Sequence, residues 1–124
     1  MRAEANDPTT TRCGDVAIVT VRGDFDLALC LKVAPEINAV LRSPARAVVI
    51  DLEAVSLLDS SAIGLLLNAF RRLDKVGRTL AIVCPPGPAR RPIELTGLDR
   101  QLPMHDTRLG ALAAVGAGPH RHPS

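Results

Sequence analysis

The sequence has very few aromatic residues: it contains two phenylalanines and neither tryptophan nor tyrosine. Proteins that bind single-stranded nucleic acid usually stack the bases on aromatic side chains in a basic groove. The net charge is only +2, and the pairs Arg71-Arg72 and Arg90-Arg91 are isolated rather than gathered into a basic stripe. Because duplex binding also requires a clustered basic face, we do not expect nucleic acid as a partner.

Cysteine is scarce as well, and Cys13, Cys30 and Cys84 show neither a C-x-x-C motif nor a spacing typical of zinc sites. The odd number favours reduced thiols in a cytosol, and the last two stand among apolar residues, where a thiol packs as a small hydrophobe. The polar N-terminus lacks the apolar stretch of a signal peptide. No uncharged apolar run approaches the roughly 20 residues of a membrane helix. We therefore expect a cytoplasmic protein without a cofactor, a metal or a membrane partner.

The chain has 124 residues, 47% of them hydrophobic, which suits one domain with a single core. A β-branched strand at 16–21 follows Gly14-Asp15, a turn signal, so residues 10–13 are expected to form a short strand that pairs with it in a hairpin. The predicted organisation has three parts: a flexible N-terminus (1–9), a folded domain (10–116) and a disordered C-terminal tail (117–124).

Two continuous apolar runs, 47–52 and 79–84, predict strands that are buried on both faces of a sheet. Between them, residues 63–73 carry apolar side chains at helical spacing, and Gly77 is placed to end that helix. Three further elements are predicted: a short helix at 89–95, an edge strand at 102–105, and a helix at 108–115 capped by Asp106 or Thr107.

The segment between the first two buried strands contains Pro35, which inside a helix would remove an N–H and clash with the preceding turn. A proline fits well at the first position of a helix, so we predict a helix at 35–43 and a partly buried connection at 27–34. A helix kinked at Pro35 is the alternative. Strands then alternate with helices, which predicts an α/β fold with a mixed sheet of four to five strands, about four helices and an N-terminal β-hairpin.

The most hydrophobic stretch, VVIDLEAVSLLDSSAIGLLLNAF (48–70), is interrupted by Asp59-Ser60-Ser61. These residue types are preferred helix N-caps, and a cap is the simplest explanation. A cap does not explain three adjacent polar residues, nor Gly64, a poor helix former, in the first turn. A serine at such a strand-to-helix corner would be exposed beside free N–H groups and could carry a phosphate. The small residues Ala62 and Gly64 would let a partner approach closely.

This stretch resembles the signature of the STAS domain, as in bacterial anti-sigma factor antagonists. In that family a strand ending in Asp-Leu is followed by a hydrophobic link, the motif D-S-S-G-L/I-G and a helix. The D-S-S core alone is a weak signal, but in order with the flanking segments it is specific. The resemblance covers roughly 12–116 and includes GDFD (23–26), APEINAVL (34–41), GRTLAIVCP (77–85) and ELTGLDRQLPMHDTRLGAL (94–112).

The resemblance implies that Ser60 is the phosphorylated residue and that Asp26, at the end of the second strand, lies beside it. It implies an anti-sigma factor with a histidine-kinase-like ATPase fold as partner. The unphosphorylated antagonist binds that partner and frees its sigma factor, and phosphorylation by the same partner switches binding off. A phosphatase is a further candidate partner. The expected partner-binding residues are Asp26, Asp59, Ser61, Ala62 and Gly64.

Two features depart from the family pattern. Ala62 stands where the family usually has glycine, which would add a methyl group at the contact corner. The connection over 27–34 is longer than in typical members, and we expect it to pack into the core, with an altered choice of partner as the alternative. It is also unusually apolar and contains Leu27, Leu29, Leu31 and Val33.

Two other functions compete with the phosphoswitch. One is a STAS scaffold or regulatory subunit of a transport or signalling complex that is never phosphorylated; an intact D-S-S in a free-standing domain favours the phosphoswitch over it. The other is an enzyme with a nucleophilic serine, which needs a base and an orienting acid. The histidines are His105, His120 and His122, and neither a G-x-S-x-G elbow nor a phosphate-cradling glycine loop is present. We therefore do not expect an enzyme.

Overall fold

The computed structural model describes residues 7–116, and a five-stranded sheet forms the centre of that part of the chain. The strands lie side by side in chain order. The first pairs antiparallel with the second, and all later neighbours are parallel, which confirms the predicted mixed sheet and N-terminal hairpin. The strands are β1 (Thr9–Cys13), β2 (Val16–Phe25), β3 (Ala47–Leu58), β4 (Thr79–Val83) and β5 (Met104–His105).

Helices cover both faces of this sheet. Alternate residues of β3 point to opposite faces, as the period of a strand requires. Val48 and Ile50 belong to the larger core, which holds the helices of one face, whereas Val49 packs with Ala111 and Val115 on the other. The buried central strand is thus confirmed. The helices of the described part are α1 (Leu27–Arg42), α2 (Ser60–Lys75), α3 (Arg91–Leu95) and α4 (Arg108–Ala114), with a 3₁₀ turn at Leu98–Arg100.

An arginine fixes α4 to the sheet. The Nε of Arg108 donates to Oδ2 of Asp51 at 2.8 Å, and its NH2 group donates to Oγ1 of Thr20 at 3.1 Å. Asp51 is almost completely buried on β3, and its other oxygen accepts from the backbone N–H of Glu53 at 2.9 Å. A buried carboxylate needs such partners, because an unpaired buried charge is strongly destabilising.

The predicted extent of the first helix is wrong. Instead of a connection over 27–34 and a helix from Pro35, a single helix runs over Leu27–Arg42 with Pro35 inside it, as in the alternative. A proline there costs about 3 kcal/mol or more. The helix nevertheless forms because burying a Leu, Val or Ile side chain contributes about 1.5–3 kcal/mol each. Its buried face holds Leu29, Cys30, Val33, Ile37 and Val40.

The boundaries of the other helices and strands differ less from the predicted ones. The two central strands continue past the predicted 16–21 and 47–52 to Phe25 and Leu58, so they reach the corners from which α1 and α2 start. Gly77 follows α2 with φ of 75°, as expected for a left-handed helix end. Thr107, one of the two predicted residues, caps α4 through a hydrogen bond from the Gly110 N–H.

The tail at 117–124 lies outside the described residues, and so does 1–6 of the expected flexible lead. Within that lead, β1 already begins at Thr9. Cys30 and Cys84 are buried and unbridged, and burial raises the pKa of Cys84 to about 11. Across residues 7–116, none of the helices has the length and apolar character needed to cross a bilayer.

Replacing Pro35 with alanine tests the continuity of α1. Pro35→Ala should raise the free energy of unfolding by about 1–3 kcal/mol, since alanine restores a helical hydrogen bond, while the unfolded chain gains some freedom. The measurement is urea unfolding followed by circular dichroism. Pro44→Ala, in the connection after α1, is the matched control and should destabilise by less than about 1 kcal/mol. A loss of stability in Pro35→Ala, like that expected for the control, would contradict a helix that continues through Pro35.

Candidate functional site

The site lies where β2 and β3 end side by side. The two strands are parallel, and their last paired residues are Phe25 and Leu58. The next residues in each chain segment are Asp26 and Asp59, and the Asp59 N–H donates to the Phe25 carbonyl oxygen at 3.2 Å. Both aspartates therefore stand at one edge of the sheet, each at the start of a helix. We call this edge, with Asp26, Asp59 and Ser60, the acidic corner.

The two aspartates have the same structural role. Oδ1 of Asp26 accepts from the backbone N–H of Leu29 at 3.0 Å, and Oδ1 of Asp59 accepts from that of Ala62 at 3.1 Å. Both residues have the extended backbone of an N-cap. An N-cap satisfies an N–H that has no partner within the helix, which is worth about 0.5–2 kcal/mol. The helix cap expected within Asp59-Ser60-Ser61 is therefore Asp59.

The two serines that follow Asp59 differ sharply. Ser61 is partly buried, and its hydroxyl donates to Oδ1 of Asp59 at 2.5 Å. Ser60 is exposed, and its hydroxyl makes no hydrogen bond to any residue within 7–116. Ser61 thus belongs to the internal structure of the corner, whereas the Ser60 hydroxyl is open to an approaching molecule.

Asp59 is held in its charged form. The hydroxyl of Ser61 is the main cause that lowers the pKa of Asp59 below its ordinary value, followed by the backbone N–H of Ala62. The N–H groups of Ser61 and Leu27 act in the same direction. The first turns of both helices therefore direct N–H groups at this carboxylate. Hydrogen bonds to the ionised form stabilise it, so Asp59 is negative at neutral pH.

Cys30 connects α1 to the corner, a role that the sequence did not indicate. Its thiol donates to Oγ of Ser61 at 3.7 Å, and burial raises the pKa of this thiol, with Asp59 and Asp26 adding to the rise. The sequence suggested only a small buried hydrophobe. Cys30 lies at helical spacing with Leu29 and Val33, which would have predicted that it faces the core near Ser61. Because Pro35 led us to predict a helix only from residue 35, this spacing was not recognised.

Ala62 and Gly64 occupy very different surroundings. Ala62 is completely buried in the core, so its methyl group does not lie on the surface of the corner, where it was expected. Gly64 is exposed on α2, one turn beyond Ser60, and a Cβ atom added there would meet no atom within 4 Å. The fold itself does not require glycine at this position.

The remaining candidates for chemistry lie elsewhere. His105 is on β5, and β4 separates that strand from β3 and its acidic corner. His120 and His122 fall outside the described residues. Among residues 7–116, no group of three or more His, Cys, Asp or Glu side chains is arranged to hold a metal ion.

Two known proteins match this chain over most of its length and of their own. The chain is 33% identical over 119 residues to the anti-sigma-F factor antagonist RsfB of Mycobacterium tuberculosis, covering 92% of this chain and 95% of that protein. A crystal structure of an anti-sigma factor antagonist from Mycobacterium paratuberculosis superposes with a TM-score of 0.82 at 33% identity, over 88% of this chain and 92% of that one.

The fold is also that of SpoIIAA, an anti-sigma factor antagonist solved in two forms. The unphosphorylated form has a TM-score of 0.75 at 18% identity and covers 91% of this chain and 99% of that one. The phosphorylated form from Bacillus has a TM-score of 0.67 at 19% identity, over 87% of this chain and 98% of that one. The family model described as the STAS domain matches residues 7–111. With this match and the shared fold, the chain belongs to the STAS domain family.

Proposed function

We propose that this protein is an anti-sigma factor antagonist regulated by phosphorylation of Ser60. In its unphosphorylated form it binds an anti-sigma factor with a histidine-kinase-like ATPase fold and thereby frees a sigma factor for transcription. The same partner phosphorylates Ser60, which ends the binding. The names of the relatives at 33% identity support the antagonist role, and their match covers nearly the whole chain.

The single observation that carries the phosphoswitch is the exposed Ser60 hydroxyl beside two N-capping carboxylates. A kinase needs an acceptor that it can reach, and Ser60 is exposed at the start of α2. Ser61 is a poor acceptor by comparison, because its hydroxyl is partly buried and donates to Asp59. Asp26 and Asp59 offer charge to a cationic partner surface, and such complementarity favours fast and specific association.

The geometry also suggests how a phosphate would change the corner. Asp59 already accepts from N–H groups in the first turn of α2, so phosphoryl oxygens on Ser60 would compete with a carboxylate there. The phosphate, which adds about −1.5 to −2 charge, would then project from the surface toward the partner. Beside Asp26 and Asp59 it makes the corner strongly negative. A loss of roughly 3–4 kcal/mol in binding would weaken affinity several-hundredfold.

The acceptor assignment is tested with a purified anti-sigma factor of this type that binds the wild-type chain. After incubation with ATP, mass spectrometry should find one phosphate per wild-type chain, and Ser60→Ala should take up none. Ser61→Ala removes the donor to Asp59 and the acceptor of the Cys30 thiol, but it should still be phosphorylated, because the exposed Ser60 hydroxyl takes part in neither bond. Normal uptake by Ser60→Ala with none by Ser61→Ala would reverse the assignment. A partner that binds without phosphorylating the chain would favour the scaffold function.

The charge switch is tested with Ser60→Asp, which carries less charge and bulk than a phosphate. Titration calorimetry should show binding to the same anti-sigma factor weakened about ten- to a hundredfold, by repulsion from Asp26 and Asp59. The circular dichroism spectrum and melting temperature should stay unchanged, since Ser60 is exposed. Thr79→Asp, an equal charge at the opposite end of the sheet, should bind like wild type. Full affinity in both Ser60→Asp and the phosphorylated chain would contradict the switch.

Replacing Gly64 with alanine should stabilise the fold but weaken binding to the anti-sigma factor. Gly64→Ala removes a poor helix former without a clash, so the free energy of unfolding should rise by about 0.5–1 kcal/mol. Binding to the anti-sigma factor should fall about tenfold, because the new methyl group stands one turn from Ser60 where a partner surface approaches. Lys75→Ala, in the last turn of α2, is the control for binding. An unchanged affinity for Gly64→Ala would place the interface elsewhere.

A further inference from the structure

Two leucines of α1 next to the acidic corner are exposed to solvent. Leu27 and Leu31 are 62% and 70% exposed. We refer to these two residues as the leucine patch. Both were expected to pack into the core as part of a connection over 27–34, and the structure places them outside it.

The contacts of the corner bring the patch close to Ser60. The Leu27 N–H is directed at the Asp59 carboxylate, and Leu31 follows one helical turn later on the same face of α1. Leu57, near the end of β3, is 48% exposed but alternates with the core residue Leu58, so it lies on the opposite face of the sheet and outside the patch. The neighbouring Cys30 contacts Ser61, which fixes this turn of α1 against the first turn of α2.

The fold gains little from leucine at these positions. The N-cap of α1 is supplied by Asp26, and the exposed Leu27 and Leu31 do not belong to the buried face of the helix. Single exposed leucines are ordinary on protein surfaces, whereas neighbouring ones form an apolar patch of the kind that marks an interaction site. Leu95 on α3 and Leu109 on α4 are more exposed, at 79% and 80%. They serve as internal controls, because they lie on other elements.

The charge around the patch indicates what covers it. Asp26 is exposed at the start of α1, the ionised Asp59 lies between the two helix starts, and Lys32, next to Leu31, pairs with Asp7. A surface that matches these groups must be apolar in its centre and carry Lys or Arg side chains beside that centre. Interfaces of this composition, with an apolar core and a polar rim, are typical of specific protein partners.

We propose that the leucine patch is the apolar half of the docking surface for the anti-sigma factor, and that it determines which anti-sigma factor binds. This inference rests on the function proposed above and extends it. The carboxylates attract a cationic partner, and phosphorylation of Ser60 reverses binding. The leucines supply contact area that is independent of the phosphorylation state and that a partner lacking an apolar counterpart cannot use.

The test compares Leu27→Gln/Leu31→Gln with the control Leu95→Gln/Leu109→Gln. Glutamine keeps helix propensity and removes apolar surface, so both variants should retain the wild-type melting temperature within a few degrees. Binding to the purified anti-sigma factor is measured by surface plasmon resonance at two salt concentrations. The patch variant should lose about 30- to 100-fold in affinity, mainly through faster dissociation and equally at both salt concentrations. The control should stay within about twofold of wild type.

Leu57→Thr, on the opposite face of the sheet, is a second control in which threonine is a good strand residue, and it should bind within about twofold of wild type. Patch variants that bind like wild type, while Ser60→Asp still weakens binding, would overturn the role of the leucines and leave the phosphoswitch intact. A wild-type chain that binds no anti-sigma factor of this class would overturn both proposals. Sedimentation that shows a wild-type dimer dissociated by the patch variant would make a second copy the occupant and overturn the proposed partner.

Discussion

The parallel pairing of β2 with β3 is the constraint on which the rest of the corner depends. Parallel neighbours end at the same edge of a sheet, and these two remain paired up to Phe25 and Leu58. The helices that follow must therefore start side by side. Each needs an N-cap, so two aspartates, Asp26 and Asp59, come to stand together. The acidic corner is thus a consequence of strand pairing and helix capping alone.

The capping of α2 also gives the two serines that follow Asp59 different roles. The Asp59 carboxylate takes hydrogen bonds from the hydroxyl of Ser61 and the N–H of Ala62, which orders the first turn. Ser60, at the first helical position, stays outside this network and is exposed. The structural explanation of the D-S-S motif and the functional one therefore apply to different residues: the aspartate and the second serine build the corner, and the first serine is available for chemistry.

The helix α1 shows how burial overrides a local preference and at the same time creates a surface. Its buried face, with Leu29, Val33 and Ile37, stabilises the helix enough to include Pro35. Once the helix begins at Leu27 rather than at Pro35, its periodicity turns Leu27 and Leu31 away from the core. Leu27 and Leu31 are exposed beside Ser60 because the helix extends from Pro35 back to Leu27. The usual effect of a proline would have prevented this extension.

The sequence by itself determined the fold class, the order of most elements, the buried runs of β3 and β4, and the strand-to-helix corner at Asp59. These follow from short-range periodicity and from residues whose preferences are local, such as caps and left-handed glycines. Tertiary structure alone decided that α1 passes through Pro35, that Ala62 is buried, and that Cys30 contacts Ser61. Each of these depends on contacts between segments far apart in the chain. Such contacts set which helix face is buried, and a local pattern does not contain that information.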